Sequence, residues 1–207
     1  MNLLSLAARG GVFMIPIVVC LWLGLAVAIE RWLVLRRARR NTDRLLGSIR
    51  GVLAHGEITG ALLLCDRTPG PVASILKAAI ERRERPRTEI REAIESEGKA
   101  QLYHLQNRIG VLATIAGAAP LLGFLGTVTG MIRAFMQVQR LAGSVDAAAL
   151  AGGIWEALVT TAAGLLVGVL ALVAHNYLVG KVERLVYEME TSSARLLSVL
   201  HAGEGEL

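Results

Sequence analysis

The sequence predicts an all-α membrane protein with three transmembrane helices, a helical cytoplasmic insert after the first, and an N-out, C-in topology. Three observations carry this. Of the 207 residues, 54% are hydrophobic and only 4% aromatic, at a mean hydropathy of +0.52, which is more apolar than a single soluble core of this length uses. The apolar residues gather in three runs, each long enough for the roughly 20 residues that a bilayer span needs. Of the 22 Lys and Arg residues, only Arg9, Arg133 and Arg140 fall on the outer side of those runs, the asymmetry that positive-inside insertion produces.

Residues 1–36 hold the N terminus and the first span, apolar from Val12 to Leu35 except for Glu30 and Arg31. Ala26-Val27-Ala28 imitates a signal-peptidase site, but a signal peptide carries its positive cluster before the apolar region. Here Arg36, Arg37, Arg39 and Arg40 follow it, so an uncleaved helix is expected. Residues 37–108 form the insert. Leu45, Leu46, Ile49, Val52 and Leu53 recur at helical spacing, as do Val72, Ile75, Leu76, Ala79 and Ile80. Thr68-Pro69-Gly70-Pro71 makes a turn and Pro86 a second break, after which a helix from Thr88 can run on through Arg108 into the apolar segment at Ile109. The second span covers 109–137, a short connection 138–146 and the third span 147–180. Residues 181–207 read as a C-terminal cytoplasmic helix or tail, amphipathic at Leu185, Met189, Leu196 and Leu200.

Several function classes fall away on composition. The net charge of +5 and pI near 9.8 are accounted for by topology, not by a basic patch interleaved with aromatics, so no nucleic acid is expected. Cys20 and Cys65 lack paired spacing, and His55, His104 and His201 lack ligand spacing, so neither a disulfide framework nor a metal is indicated. His175 lies near the cytoplasmic end of the third span. There is no nucleophile with a base at hand and no phosphate loop, and Cys65 beside Asp66 is an adjacency only. No enzyme activity and no cofactor are expected.

The second and third spans carry the unusual residues. Ala116, Ala119, Gly123, Gly126, Thr127 and Gly130 recur every three or four positions and share one side of the second span. Small residues mark helix contacts in lipid, where hydrophobic attraction between helices is weak. Gly126-x-x-x-Gly130 and Gly164-x-x-x-Gly168 are two such devices, and Pro120, inside the second span, should kink it. Glu156 is an acid in an apolar helix. Near the bilayer centre a carboxylate costs roughly 2.5–3.5 kcal/mol on an insertion scale, so it should face protein or a water-filled lumen, or else lie near the outer interface. Thr160 is one turn from it and Thr161 is rotated by about 140°. With Thr127 and Thr129 these residues make a polar stripe, although Thr129 and Thr160 can instead bond a carbonyl one turn back.

At these residues the chain resembles a known family. The stretch from Ala119 to Ile132, APLLGFLGTVTGMI, is similar to the second-helix signature of the ExbB/TolQ/MotA proton-channel family, and Gly153 to Leu165, GIWEALVTTAAGL, resembles its third-helix signature. Three spans with an insert after the first fit the ExbB and TolQ branch over essentially the whole chain. Thr129 stands where that branch commonly has tryptophan, and Trp155 where it has a small residue, which leaves ExbB and TolQ both open. The resemblance implies a bacterial cytoplasmic (inner) membrane motor subunit, homopentameric around a central lumen and surrounded by membrane lipid, with 138–146 periplasmic. It implies an ExbD- or TolR-like single-span partner inside the ring and a TonB- or TolA-like periplasm-spanning protein beyond it. Thr127 and Thr161 would line the lumen opposite an aspartate of the partner, and Glu156 would shape the field or admit protons. Two alternatives stay open: a passive scaffold without ion conduction, and a sodium motor using Thr129 and Thr160 as neutral oxygen ligands.

Overall fold

The computed structural model describes residues 11–38, 42–140 and 147–202, and every regular element among them is an α-helix. We number these α1 (Met14–Ala38), α2 (Thr42–Ala54), α3 (Ile58–Arg67), α4 (Pro71–Glu81), α5 (Arg87–Gln106), α6 (Ile109–Arg140) and α7 (Ala147–Ala202). Three helical stretches, carried by α1, α6 and α7, are long and apolar enough to cross a membrane. Arg9, Arg39, Arg40 and residues 141–146 lie outside the described residues, as do the side chains of Arg140 and Leu200.

The expected continuous helix through Arg108 is broken. α5 ends at Gln106, the Asn107 N–H closes on the Tyr103 carbonyl at 3.1 Å, and Arg108 adopts a left-handed conformation at φ 63°. This is the conformation that ends many helices one residue past the cap, usually at glycine. Here Arg108 has an added reason to hold it, because its Nη1 donates to both oxygens of Glu30 at 3.0 Å each.

The chain divides into two compact units. The first contains the start of α1 through Glu30 together with Arg108–Tyr177. Its core is Ile17, Ile115, Ala119, Val167 and Ala171, with Cys20, Leu21, Ala116 and Leu122 packed against it. Large apolar side chains remain on its surface, among them Trp22, Leu121, Phe124, Leu166 and Val173. Helices that are apolar on all faces in this way suit burial in lipid or against other chains.

The second unit contains Arg31–Asn107 and the distal part of α7 from Leu178. α2, α3 and α4 are short because the sequence interrupts them. Gly56 turns the chain at φ 76°, while Gly70 at φ 141° precedes Pro71 in the first turn of α4, where its missing N–H costs nothing. The amphipathic stripes named from periodicity form the core, with Leu45, Leu46, Ile49, Ile75, Leu76, Ala79 and Ile80 all buried. On α7, Leu178, Val182, Leu185, Met189 and Leu196 are buried at helical spacing. Lys77 of α4 donates to Asp66 of α3 at 2.6 Å. Beside it Cys65 is buried, and burial above all pushes its thiol up to about 11.

Candidate functional site

α6 and α7 run antiparallel and touch through a seam of small residues. A methyl group added at Gly123 would meet the Thr160 carbonyl, the Thr161 Cα and the Gly164 Cα, all within 3.3 Å. Gly126 faces the Thr160 side chain, Gly130 faces Ala157 and the Gly153 carbonyl, and Gly153 faces Ala134. From the other side, Gly164 abuts the Ala119 carbonyl and the Gly123 backbone, and Gly168 abuts the Pro120 ring. The structure thus brings Pro120, Gly123, Gly126, Gly130, Gly164 and Gly168 into one contact. Pro120 removes the amide that would bond the Ala116 carbonyl, and that carbonyl faces Gly168, where no side chain blocks its approach to the neighbouring helix.

The threonines divide by role. The Thr161 hydroxyl crosses the seam and donates to the Gly123 carbonyl at 2.9 Å. Thr160 is 1% exposed, packs on Gly126 and donates to the Glu156 carbonyl at 2.8 Å. Of the two readings open for Thr160, it makes the bond to the carbonyl one turn back, and the antiparallel register places it in the helix contact. Thr129 donates back to the Leu125 carbonyl at 3.0 Å and Thr127 to the Phe124 carbonyl at 2.6 Å, both half-buried. Each of these hydroxyls keeps its lone pairs as acceptors.

Glu156 has a partner that the sequence reading missed. Arg133 Nη1 of α6 donates to Glu156 Oε1 at 3.1 Å, with the carboxylate side chain 31% exposed. By sequence Arg133 stands out only as a charge that marks topology. The signal was present: once Gly126 is paired with the turn holding Thr160, an antiparallel register carries Arg133 to the turn that holds Glu156. A third segment also meets the carboxylate. Gly11, just before α1, is left-handed at φ 65°, and a Cβ there would overlap Glu156 Oε1. Glu156 therefore lies level with the start of α1, away from the middle of the three-helix unit.

At the other end of this unit, Arg108 holds Glu30, and the ring Nδ1 of His175 lies 3.3 Å from the Ile109 carbonyl. Among the described residues no cluster of three or more His, Cys, Asp or Glu is disposed to hold a metal.

Residues 67–191 match the family model described as the MotA/TolQ/ExbB proton channel family. The chain is 29% identical over 190 residues to a biopolymer transport protein ExbB homolog of Methanothermobacter thermautotrophicus, covering 91% of this chain and 67% of that protein. It is 31% identical over 180 residues to a biopolymer transport protein ExbB-like 1 of Synechocystis, covering 86% and 71%. A Tol-Pal system protein TolQ of Haemophilus influenzae is 35% identical over 103 residues, covering 49% and 44%.

Proposed function

Because the chain belongs to the MotA/TolQ/ExbB proton channel family, on its ExbB/TolQ branch, we propose that it is the membrane subunit of an ion-driven motor in the bacterial inner membrane. Five copies enclose the helices of an ExbD- or TolR-like single-span partner, with the N terminus outside and residues 37–108 in the cytoplasm. Proton motive force is turned into work on a TonB- or TolA-like protein that spans the periplasm.

The observation that carries the reading is the α6–α7 seam, which lies within the matched residues. Backbone contact makes the hairpin stiff, Thr161 is tied across it, and Glu156 stands at its end. Between Glu156 and His175 the third helix has no charged residue, and neither does the second between Arg108 and Arg133. Hydroxyls alone do not carry a proton through such a stretch, so the titrating group inside it comes from the partner helix. On this reading Thr127 and Thr161 are the hydroxyls that meet it through their free lone pairs, while Thr129 and Thr160 hold their own helices. A proton crossing the membrane releases about 2.3 kcal/mol per 100 mV, which suffices to bias a packed helix between two arrangements and calls for repeated steps.

The test is ion flux into liposomes holding this protein and its candidate ExbD-like partner, under a pH gradient and then a sodium gradient. Proton flux that disappears in Glu156→Gln, with the complex still assembled, supports the reading. Sodium-dependent flux keeps the architecture and changes the ion. An assembled complex without flux in either gradient would leave a passive scaffold.

A further inference from the structure

The Arg133–Glu156 pair occupies one end of a charge-free belt. Residues 12–29 of the first span, 109–132 of the second and 157–174 of the third contain no Asp, Glu, Lys or Arg. Charged or titratable side chains close the belt at both ends. Glu156 and Arg133 meet beside Gly11 at one end, and Glu30, Arg108 and His175 gather at the other. From Glu156 to His175 the helical rise gives about 28 Å, close to the thickness of a bilayer's hydrocarbon core. Glu156 thus sits at the boundary layer, where a lone carboxylate would be free to turn toward water and headgroups.

Two features prevent that turn. Arg133 reaches Glu156 Oε1 from α6, and the Gly11 backbone closes on the same oxygen from the lead-in to α1. The left-handed φ at Gly11 and the absence of a side chain there let the backbone come this close. The backbone that carries Arg133 is held in the helix contact, because the next residue, Ala134, is 1% exposed and packs against Gly153.

We propose that Arg133 is the positioning residue for Glu156. With the Gly11 backbone it latches the carboxylate across the mouth of the α6–α7 hairpin, so that Glu156 is held over the polar seam instead of swinging away. This rests on the reading of Glu156 as part of the ion path. The latch makes the mouth a three-segment structure and ties the first span to the two that bear the threonines.

A hydrophobic carbodiimide tests the latch without reference to flux. It is applied to the assembled complex in liposomes, and modification of Glu156 is measured by mass spectrometry with Glu30 as the internal reference. Removing the guanidinium in Arg133→Gln should raise the Glu156 labelling rate by up to about fivefold, with Glu30 unchanged. Arg133→Lys should keep most of the protection. Equal Glu156 labelling in wild type and Arg133→Gln would overturn the latch. The two ideas fail separately. Labelling that responds to Arg133 while Glu156→Gln conducts normally removes Glu156 from the ion path and leaves the latch standing. Lost flux in Glu156→Gln with full flux and unchanged labelling in Arg133→Gln removes only the latch.

Discussion

Gly164→Ala tests how close the two seam helices are. A Cβ at Gly164 would lie 2.5 Å from the Ala119 carbonyl oxygen and 2.9 Å from the Gly123 Cα. Both are backbone atoms, so no side chain can rotate away, and the helices must separate by roughly 0.5–1 Å to regain ordinary contact. Overpacking of this kind costs about 1–3 kcal/mol. The separation also stretches the Thr161–Gly123 hydrogen bond, worth about 1 kcal/mol. Alanine's better helix propensity returns about 1 kcal/mol, which leaves a net loss of about 1–3 kcal/mol. For a chain of this size that corresponds to a melting temperature lower by about 3–10 °C. Gly117→Ala is the control, because nothing lies within 4 Å of its added methyl; it should melt at or above the wild type. Thermal unfolding of the detergent-purified protein reads both. If Gly164→Ala melts as high as Gly117→Ala, the close seam is wrong, and the register that places Arg133 against Glu156 falls with it.

Three further outcomes follow from the same packing. Thr161→Val removes the bond across the seam and should cost about 1 kcal/mol, more than Thr160→Val, whose acceptor at Glu156 also lies within its own helical ladder; equal losses in chemical denaturation would contradict the division of roles. Cys65, studied in a Cys20→Ser background, should resist maleimide at neutral pH until the protein is unfolded. Because its thiol is raised from 9.0 to about 11 in the folded chain, the stability it contributes is whole below pH 9 and declines as pH climbs from 9 toward 11; a stability curve flat over that window in the wild type but sloping in Cys65→Ala would reverse the sign. Arg108→Gly and Arg108→Ala both lose the Glu30 pair, but only alanine keeps the penalty of a left-handed φ. The alanine variant should be the less stable by about 1 kcal/mol, and identical midpoints would show that the break does not need that conformation.

Much of the fold was legible because run length and periodicity are local properties. Three apolar runs announce three long helices, and the stripes at Leu45 to Leu53 and Val72 to Ile80 announce α2 and α4. The break at Arg108 was missed because arginine is an ordinary helix residue, and only its reach to Glu30, 78 positions away, rewards the turn. Within the site the types of residue were visible and their pairings were not. Thr160 and Thr161 are neighbours in sequence, yet one is sealed against Gly126 and the other spans to Gly123. Only the antiparallel register decides between them. Arg133 was counted for its charge, which located it relative to the membrane and said nothing of the carboxylate it would meet.

The second unit has a consequence for the order of biosynthesis. It holds buried residues of α2, α3 and α4 together with Leu178, Val182, Leu185, Met189 and Leu196 near the end of α7. The first group is synthesised more than a hundred positions before the last residue of the second. While α6 and the start of α7 are still being threaded into the bilayer, the early helices wait with part of their apolar surface uncovered. Such exposed surface is what chaperones and proteases recognise in incompletely folded chains. A nascent chain that stalls after its third span would hold the first unit's residues but lack the distal turns of α7 that belong to the second.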